Sequence, residues 1–320
     1  MSTRTVPFAV PHAFGLVQEN RRRMLFEHVD VAGRGLEIGP YDQPTVVKTE
    51  GDIHYLDVQS REDLVAALHD PALAAKIPEV DILCTSSDYA TVCDEPFDYV
   101  IANHVLEHVP NPIAWLQMIG TILRDDGKLF LSLPDKKHTF DKYRPDTPLS
   151  HILYDYYTGV TEASREHILE TELYYDMQFI QREMNVGERL DDARLRRSFD
   201  IPVHPGIHCH VFQAETFPDK ILKPLQLMGL LPFELIAYRG AQASTGGEFS
   251  FVLQKGEPKV ELRTEQFFTK DYEQAPPPPP PAVPSGTPPI EPAPRLRDVL
   301  FPMGTRRREF LWQIKRRIVR

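Results

Sequence analysis

Short apolar runs alternate along this chain with stretches that repeat apolar residues at helical spacing. Runs with the character of strands occur at residues 35–38, 53–56, 80–84, 99–102, 128–133, 233–238 and 249–254. Helical spacing occurs at residues 16–28, 61–68, 113–123, 151–157 and 161–183. Because strands and helices alternate through the first half of the chain, the pattern predicts an α/β fold with a doubly wound, mostly parallel sheet.

Three of the predicted strands end on residues suited to binding a ligand. The first ends at Gly39, where glycine permits a sharp turn and a close backbone approach. Asp57 ends the next strand, at a distance from Gly39 suited to holding ribose hydroxyls. Asn103 ends the fourth strand. Since ligands of open parallel sheets bind beyond the carboxyl ends of the strands, these residues predict a nucleoside-binding crevice.

The segment between the first two strands limits which nucleoside ligand fits. It contains Pro40 and Pro44 and is too short for a full crossover helix. A pyrophosphate needs the N-terminus of such a helix. We therefore expect a ligand with one ribose and no phosphates.

Three motifs, taken in order, resemble those of class I S-adenosylmethionine-dependent methyltransferases. They are LEIGP at 36–40, FDYVIANHVLEHV at 97–109 and LFLSLPDKKHTFD at 129–141. Within that class, they resemble a bacterial subgroup associated with polysaccharide biosynthesis, and the resemblance covers residues 20–255. It implies a Rossmann-like, seven-stranded, mostly parallel sheet with an antiparallel final hairpin. It also implies S-adenosyl-L-methionine as the cofactor.

The resemblance assigns the cofactor site residue by residue. The residues of the glycine turn would face the methionine part of the cofactor, and Asp57 would hold its ribose. Asp88, after the third strand, would contact the adenine. Asn103 and His104, after the fourth strand, would lie beside the sulfonium. The residues assigned are Glu37, Gly39, Pro40, Asp57, Ser87, Asp88, Asn103 and His104.

Several of these assignments leave a structural alternative open. Glu37 could instead be a buried, hydrogen-bonded carboxylate, and Asp88 a helix or turn cap. Glu107 and His108, in the same motif as His104, are more readily explained as packing and capping residues.

About eighty residues, 134–213, separate the fifth strand from the final hairpin, and we interpret them as an acceptor-binding lid inserted between strands 5 and 6. A hydroxyl acceptor would need a general base. The insertion offers four candidates: Asp135, His138, His208 and His210. A solvated turn would explain the first two equally well, and ordinary packing the last two.

The histidine-rich segment 204–210 also raises the possibility of zinc. Its spacing, His-x3-His-x-His, matches no common structural zinc site, and no partner acid is evident from the sequence. The sequence therefore predicts no metal.

Composition and charge describe a soluble cytoplasmic enzyme with an unusual tail. The three cysteines form no disulfide pattern, no apolar run could span a membrane, and the net charge of −10 disfavours nucleic acid. Residues 295–320 carry nine Lys and Arg against two acids, a charge of +7 that leaves −17 elsewhere. Six consecutive prolines at 276–281 precede this segment and predict an extended spacer.

We therefore predict a methyltransferase domain over residues 1–258, a connector and Pro-rich linker over 259–294, and a basic amphipathic helix over 295–320. That helix would bind an anionic membrane surface, a polysaccharide-assembly partner or the acidic body of the protein.

For the reaction, we expect methylation of a sugar hydroxyl in a surface-polysaccharide precursor. The alternatives are another small molecule or an amino-sugar nitrogen as acceptor, and a membrane-tethered scaffold built on a methyltransferase fold.

Overall fold

A computed structural model of the chain describes residues 13–68, 70–85, 88–174, 192–200, 206–241 and 247–257. The chain divides into two units, Met1–Leu262 and Arg263–Arg320. All of the second unit lies outside the described residues, and so do the predicted linker and basic helix. Among the helices that the structure describes, none has the length and apolar character that crossing a bilayer requires.

Seven strands form one sheet in the order β3-β2-β1-β4-β5-β7-β6. Neighbours from β3 to β5 run parallel, whereas β7 runs antiparallel to both β5 and β6. The predicted fold class, including the antiparallel final hairpin, is confirmed. The strands are β1 Gly35–Ile38, β2 Ile53–Asp57, β3 Ile82–Leu83, β4 Phe97–Asn103, β5 Leu123–Pro134, β6 Phe233–Arg239 and β7 Glu248–Lys255.

The helices flank this sheet in chain order. They are α1 Ala13–His28, α2 Arg61–Ala66, α3 Pro71–Ala74, α4 Pro112–Ile122, α5 Leu149–Thr158, α6 Arg165–Tyr174, α7 Asp192–Asp200 and α8 Lys223–Leu227. Residues 39–52, all of them described, contain no helix, as predicted from their length and prolines. Of the long helix predicted at 161–183, α6 forms the middle part, and residues 175–183 lie outside the described residues.

The two faces of β4 pack into separate apolar clusters. Val100 and Ala102 join the larger cluster with Leu116 of α4, whereas Tyr99 and Ile101 join the smaller one with α1. Side chains of a strand alternate between faces, so an uninterrupted apolar run is buried on both sides. This packing fixes the central strands and therefore the positions of the residues at their carboxyl ends.

The segment between β5 and β6, which we name the β5–β6 insertion (residues 135–232), is tied to the sheet through buried polar groups. Asp135 is 1% exposed, and its carboxylate accepts hydrogen bonds from the backbone N–H groups of Lys137 (2.9 Å) and Ala214 (3.0 Å). Arg144 is fully buried. Its guanidinium donates to Asp141 (3.0 Å) and to the backbone carbonyl of His208 (2.7 Å). These bonds link the start of the insertion to a segment more than sixty residues later.

Replacing Gly35 by Ala tests the close approach of β1 to β4. A Cβ atom at Gly35 would lie 2.1–2.4 Å from the ring of Tyr99, its partner on β4. Overpacking of this kind costs about 1–3 kcal/mol of unfolding free energy, measurable by denaturant titration. The control is Gly240→Ala, where a Cβ atom meets nothing within 4 Å. Equal stability of the two variants would contradict the packing described.

Candidate active site

A cavity of about 430 Å³ opens at the carboxyl ends of β1 and β4. Its volume lies within the range of small-molecule sites. Five of the residues assigned to the cofactor line it, namely Glu37, Gly39, Pro40, Asn103 and His104. The ends of β1 and β4 therefore border one crevice, and the end of β2 with Asp57 is not part of its lining.

The turn after β1 is organised by a buried carboxylate. Glu37 is 1% exposed, and its oxygens accept hydrogen bonds from the N–H groups of Thr45 (2.8 Å) and Val46 (3.3 Å). Burial raises the pKa of Glu37 to about 7, although these hydrogen bonds oppose the rise. Gly39 adopts a φ of +61°, a conformation that favours glycine. Glu37 is thus a buried, hydrogen-bonded carboxylate that also borders the cavity.

Asn103 presents an unused acceptor at this cavity. Its Nδ2 donates to Thr45 Oγ1 at 2.8 Å, which fixes the orientation of the amide. Its Oδ1 is buried and has no hydrogen-bond partner among the described residues. Buried polar atoms are normally satisfied, so this oxygen is suited to accept from a bound ligand. The ammonium or hydroxyl groups of S-adenosyl-L-methionine are donors of that kind.

Beside Asn103, His104 connects the cavity to two carboxylates. Its φ is +54°. Its Nε2 lies 2.9 Å from Glu248 Oε2, and its Nδ1 lies 3.4 Å from Glu107 Oε1. Arg21 of α1 donates to both oxygens of Glu248, at 2.8 and 3.1 Å through Nε. The sequence analysis missed Arg21 and Glu248 because only the β5–β7 pairing brings them to the strand ends.

The remaining cofactor candidates lie apart from this cavity lining. Asp57 ends β2, is partly buried, and accepts a hydrogen bond from Gln59 N–H at 3.0 Å. Burial raises the pKa of Asp57. Asp88 is exposed and lines a second cavity of about 370 Å³ together with Trp115. Ser87 lies outside the described residues. These assignments stay predictions.

The four base candidates do not form one site. Both oxygens of Asp135 accept backbone hydrogen bonds, and His138 is exposed on the turn after β5. His210 is fully buried, with Nε2 3.2 Å from the carbonyl oxygen of Pro110, and burial lowers its pKa to about 3. His208 lies against His108 and in a cluster with Glu107, both of the FDYVIANHVLEHV motif, whose His104 lines the cavity.

His208 is held by the carboxylate of Asp141, for which the sequence leaves open a polar acceptor pocket or a solvated loop. Its Nδ1 lies 2.5 Å from Asp141 Oδ2. Burial opposes ionisation of Asp141, but the hydrogen bond from His208 and the charge of Arg144 outweigh it and hold the pKa below its usual value. An ionised carboxylate only accepts, so Nδ1 of His208 carries a proton, and in the neutral imidazole Nε2 has a lone pair. The ring of His208 packs edge-on against that of His108, with centroids 4.7 Å apart.

Comparison with known proteins places the chain in a family. A family model described as a methyltransferase domain matches residues 12–219, which is more than half of the chain. Comparison with curated proteins finds no match.

Among solved structures, the chain is similar to the N-methyltransferase NodS from Bradyrhizobium japonicum WM9 in complex with S-adenosyl-L-homocysteine. The identity is 12% and the TM-score 0.35, over 75% of this chain and 87% of that one. The CcbJ methyltransferase from Streptomyces caelestis is 12% identical with a TM-score of 0.40, and the match covers 77% of this chain and 93% of that one. The CurJ carbon methyltransferase is 11% identical with a TM-score of 0.40, and the match covers 75% of this chain and about half (54%) of that one.

With TM-scores of 0.35–0.40, these likenesses carry none of the argument. The assignment rests on the matched family model together with the sheet order, the glycine turn and the cavity at the strand ends. On those grounds the chain belongs to the methyltransferase domain family and is an enzyme that uses S-adenosyl-L-methionine as its cofactor.

Proposed function

We propose that this methyltransferase methylates a hydroxyl group of a sugar in a surface-polysaccharide precursor. The observation that carries the proposal is the His208–Asp141 pair, which the β5–β6 insertion supplies beside the FDYVIANHVLEHV motif. His104 of that motif lines the cofactor cavity.

S-adenosyl-L-methionine supplies a methyl group on a positively charged sulfonium. The residues proposed to hold it are those of the glycine turn, Asn103 with its unused Oδ1, and Asp57 at the end of β2. Much of the rate enhancement for such a transfer comes from holding acceptor and methyl group in line.

A hydroxyl acceptor needs more than alignment, because its pKa is too high for ionisation near neutrality. Asp141 accepts the hydrogen bond from Nδ1 of His208, so in the neutral imidazole the lone pair on Nε2 is available to act as the general base. A nitrogen acceptor would have less need of a general base such as His208. The presence of a carboxylate-oriented imidazole on the insertion therefore favours oxygen over nitrogen as the methylated atom.

A sugar acceptor is supported by the surface of the insertion and by the resemblance to the polysaccharide subgroup. Tyr143, Tyr154 and Tyr157 are 62–71% exposed. Tyrosine combines an apolar ring face with a hydrogen-bonding tip. Sugars present the same combination of apolar faces and hydroxyl groups, so these side chains suit a glycan better than a wholly apolar acceptor.

The acceptor proposal is tested by transfer of labelled methyl groups. Full-length protein is given methyl-labelled donor with nucleotide sugars, glycan oligosaccharides and matched amino sugars, and the methylated atom is found by NMR. We expect O-methyl products, and loss of about 10²-fold or more in rate for His208→Asn. The exposed His138→Asn is the matched control and should retain activity. Label found only on amino-sugar nitrogen would overturn the proposal.

The contribution of Asp57 is tested by titrating S-adenosylhomocysteine into the protein in a calorimeter. A charge-assisted hydrogen bond contributes about 1.5–3 kcal/mol, so Asp57→Ala should weaken binding by about tenfold or more. Asp94, exposed on the loop before β4, provides the control variant Asp94→Ala. Unchanged affinity of Asp57→Ala would remove Asp57 from the cofactor site.

The basic segment 295–320 is proposed to attach the enzyme to an anionic membrane surface, from its charge and its apolar residues at helical spacing. Full-length protein should sediment with phosphatidylglycerol vesicles at low salt and should be released as salt rises. A chain ending at Gln274 should stay in the supernatant and keep its affinity for S-adenosylhomocysteine. Full-length protein that ignores these vesicles would overturn the membrane proposal and leave a protein partner for the tail.

A further inference from the structure

Two groups of histidines and carboxylates come together among the described residues. One consists of Glu107, His108 and His208, and the other of His151, Asp155, His167 and His210. In each group, the potential ligand atoms lie within 4.8 Å of one another. Proximity alone does not distinguish a metal site from a hydrogen-bond network, but the protons on the imidazole rings do.

In the first group, the hydrogen bonds of both imidazoles leave Nε2 as the nitrogen available to a ligand. Nδ1 of His108 lies 2.9 Å from the carbonyl oxygen of Ile207, which can only accept, so Nδ1 carries the proton. Nδ1 of His208 likewise donates to Asp141. Nε2 of each ring is therefore unprotonated in the neutral imidazole. Metal-binding histidines have this arrangement, in which a carboxylate or a backbone carbonyl holds the second nitrogen.

The carboxylate of the first group is unsatisfied. Glu107 is 1% exposed, and neither of its oxygens has a hydrogen bond among the described residues. Nδ1 of His104 lies 3.4 Å from one of these oxygens. A buried carboxylate without hydrogen bonds is costly, whereas a bound cation would compensate for its charge.

The second group has the opposite arrangement of protons. Ser164 N–H donates to Nδ1 of His167 at 3.0 Å, so the proton of this ring is on Nε2, facing the cluster. Nε2 of His210 lies 3.2 Å from the carbonyl oxygen of Pro110 and must also carry a proton. Two of the three rings thus present N–H groups near Asp155, which a hydrogen-bond network requires and a metal ion does not tolerate. This group serves as the comparison for the first.

We propose that Glu107, His108 and His208 bind a divalent transition-metal ion next to the cofactor cavity. Two imidazoles and one carboxylate are ligands of Zn²⁺, Mn²⁺, Fe²⁺ and Co²⁺, and the absence of a fourth ligand in this trio leaves positions for water or substrate. The site borders the reaction centre because Glu107 contacts His104, which lines the cavity.

The catalytic part of this inference rests on the proposed hydroxyl acceptor. A metal ion held by these residues would lower the pKa of a hydroxyl bound to it, and the hydroxyl proton would pass to water. Methyl transfer then forms the O–CH₃ bond, breaks the S–CH₃ bond and leaves S-adenosylhomocysteine as a neutral thioether. In this arrangement the Nε2 lone pair of His208 binds the metal ion instead of taking the proton, so the metal ion replaces His208 as the group that activates the hydroxyl, and Asp141 positions His208.

Metal binding is tested without reference to activity. Untagged full-length protein is freed of metal with a chelator and titrated with Co²⁺ by visible spectroscopy and with Zn²⁺ by calorimetry. We expect one equivalent to bind. Glu107→Gln and His208→Asn should each weaken binding by more than tenfold. Asp141→Asn, which changes the carboxylate that accepts the hydrogen bond from His208, should weaken binding by about 10–100-fold. Retained affinity for S-adenosylhomocysteine shows that each variant is folded.

His151→Asn and His167→Asn are the matched controls, because they alter the second group only, and binding should be unchanged in both. Failure of the wild type to bind metal would overturn the proposal, and so would binding that His167→Asn abolishes and Glu107→Gln does not. If metal binds as expected but only amino sugars are methylated, the proposed acceptor is wrong and the metal site stands. If glycan hydroxyls are methylated equally well after chelation, with no metal bound, the function stands and the metal site is wrong.

Discussion

The buried guanidinium group of Arg144 is the interaction on which the geometry of the acceptor side depends. A charge with no exposure to water needs partners, and Arg144 donates to the carboxylates of Asp141 and Glu170 and to the carbonyl of His208. Asp141 in turn accepts from the ring of His208. One arginine thereby fixes both the backbone and the imidazole of His208, and removing it would leave the buried carboxylate of Asp141 with no cation but His208 among the described residues.

The donor side depends on a different buried charge. Glu37 holds the loop after β1 through Thr45, and the hydroxyl of Thr45 receives the amide of Asn103 from β4. The two strand ends that border the cavity are thus linked through one threonine. Glu37 both fixes the backbone of this loop and lines the cavity, so the two interpretations of Glu37 offered by the sequence are not exclusive.

The sequence predicted the strands, and five of its eight proposed cofactor residues line one cavity, because both depend on local patterns. Apolar runs buried on two faces are recognisable without tertiary information, and Gly39 and Asn103 follow such runs directly. The catalytic side was predicted less well. The partners of His208 and His104 are 67 and 144 residues away, and spacing gives no signal for contacts of that range.

Glu107 and His108 also have long-range contacts that sequence spacing does not reveal. In sequence, they belong to the turn after β4 and suit packing or capping. The segment carrying His208 approaches them only because the insertion folds back across a hundred residues, where His210 N–H donates to the carbonyl of Glu107. The zinc interpretation of segment 204–210 lacked an acid in the sequence, and the acids near it in space come from elsewhere in the chain.

In the proposed function, separate stretches of the chain serve the two partners of the reaction. The cavity proposed for the donor is built by α1 and by the ends of β1, β4 and β7, while the pair proposed to act on the acceptor and the exposed tyrosines both belong to the β5–β6 insertion. Exchange of this one segment between relatives would therefore replace recognition of the acceptor and its activation together, and leave the donor half unchanged. A new specificity could thus arise in a single recombination event, provided that the incoming segment keeps a histidine able to reach the turn after β4.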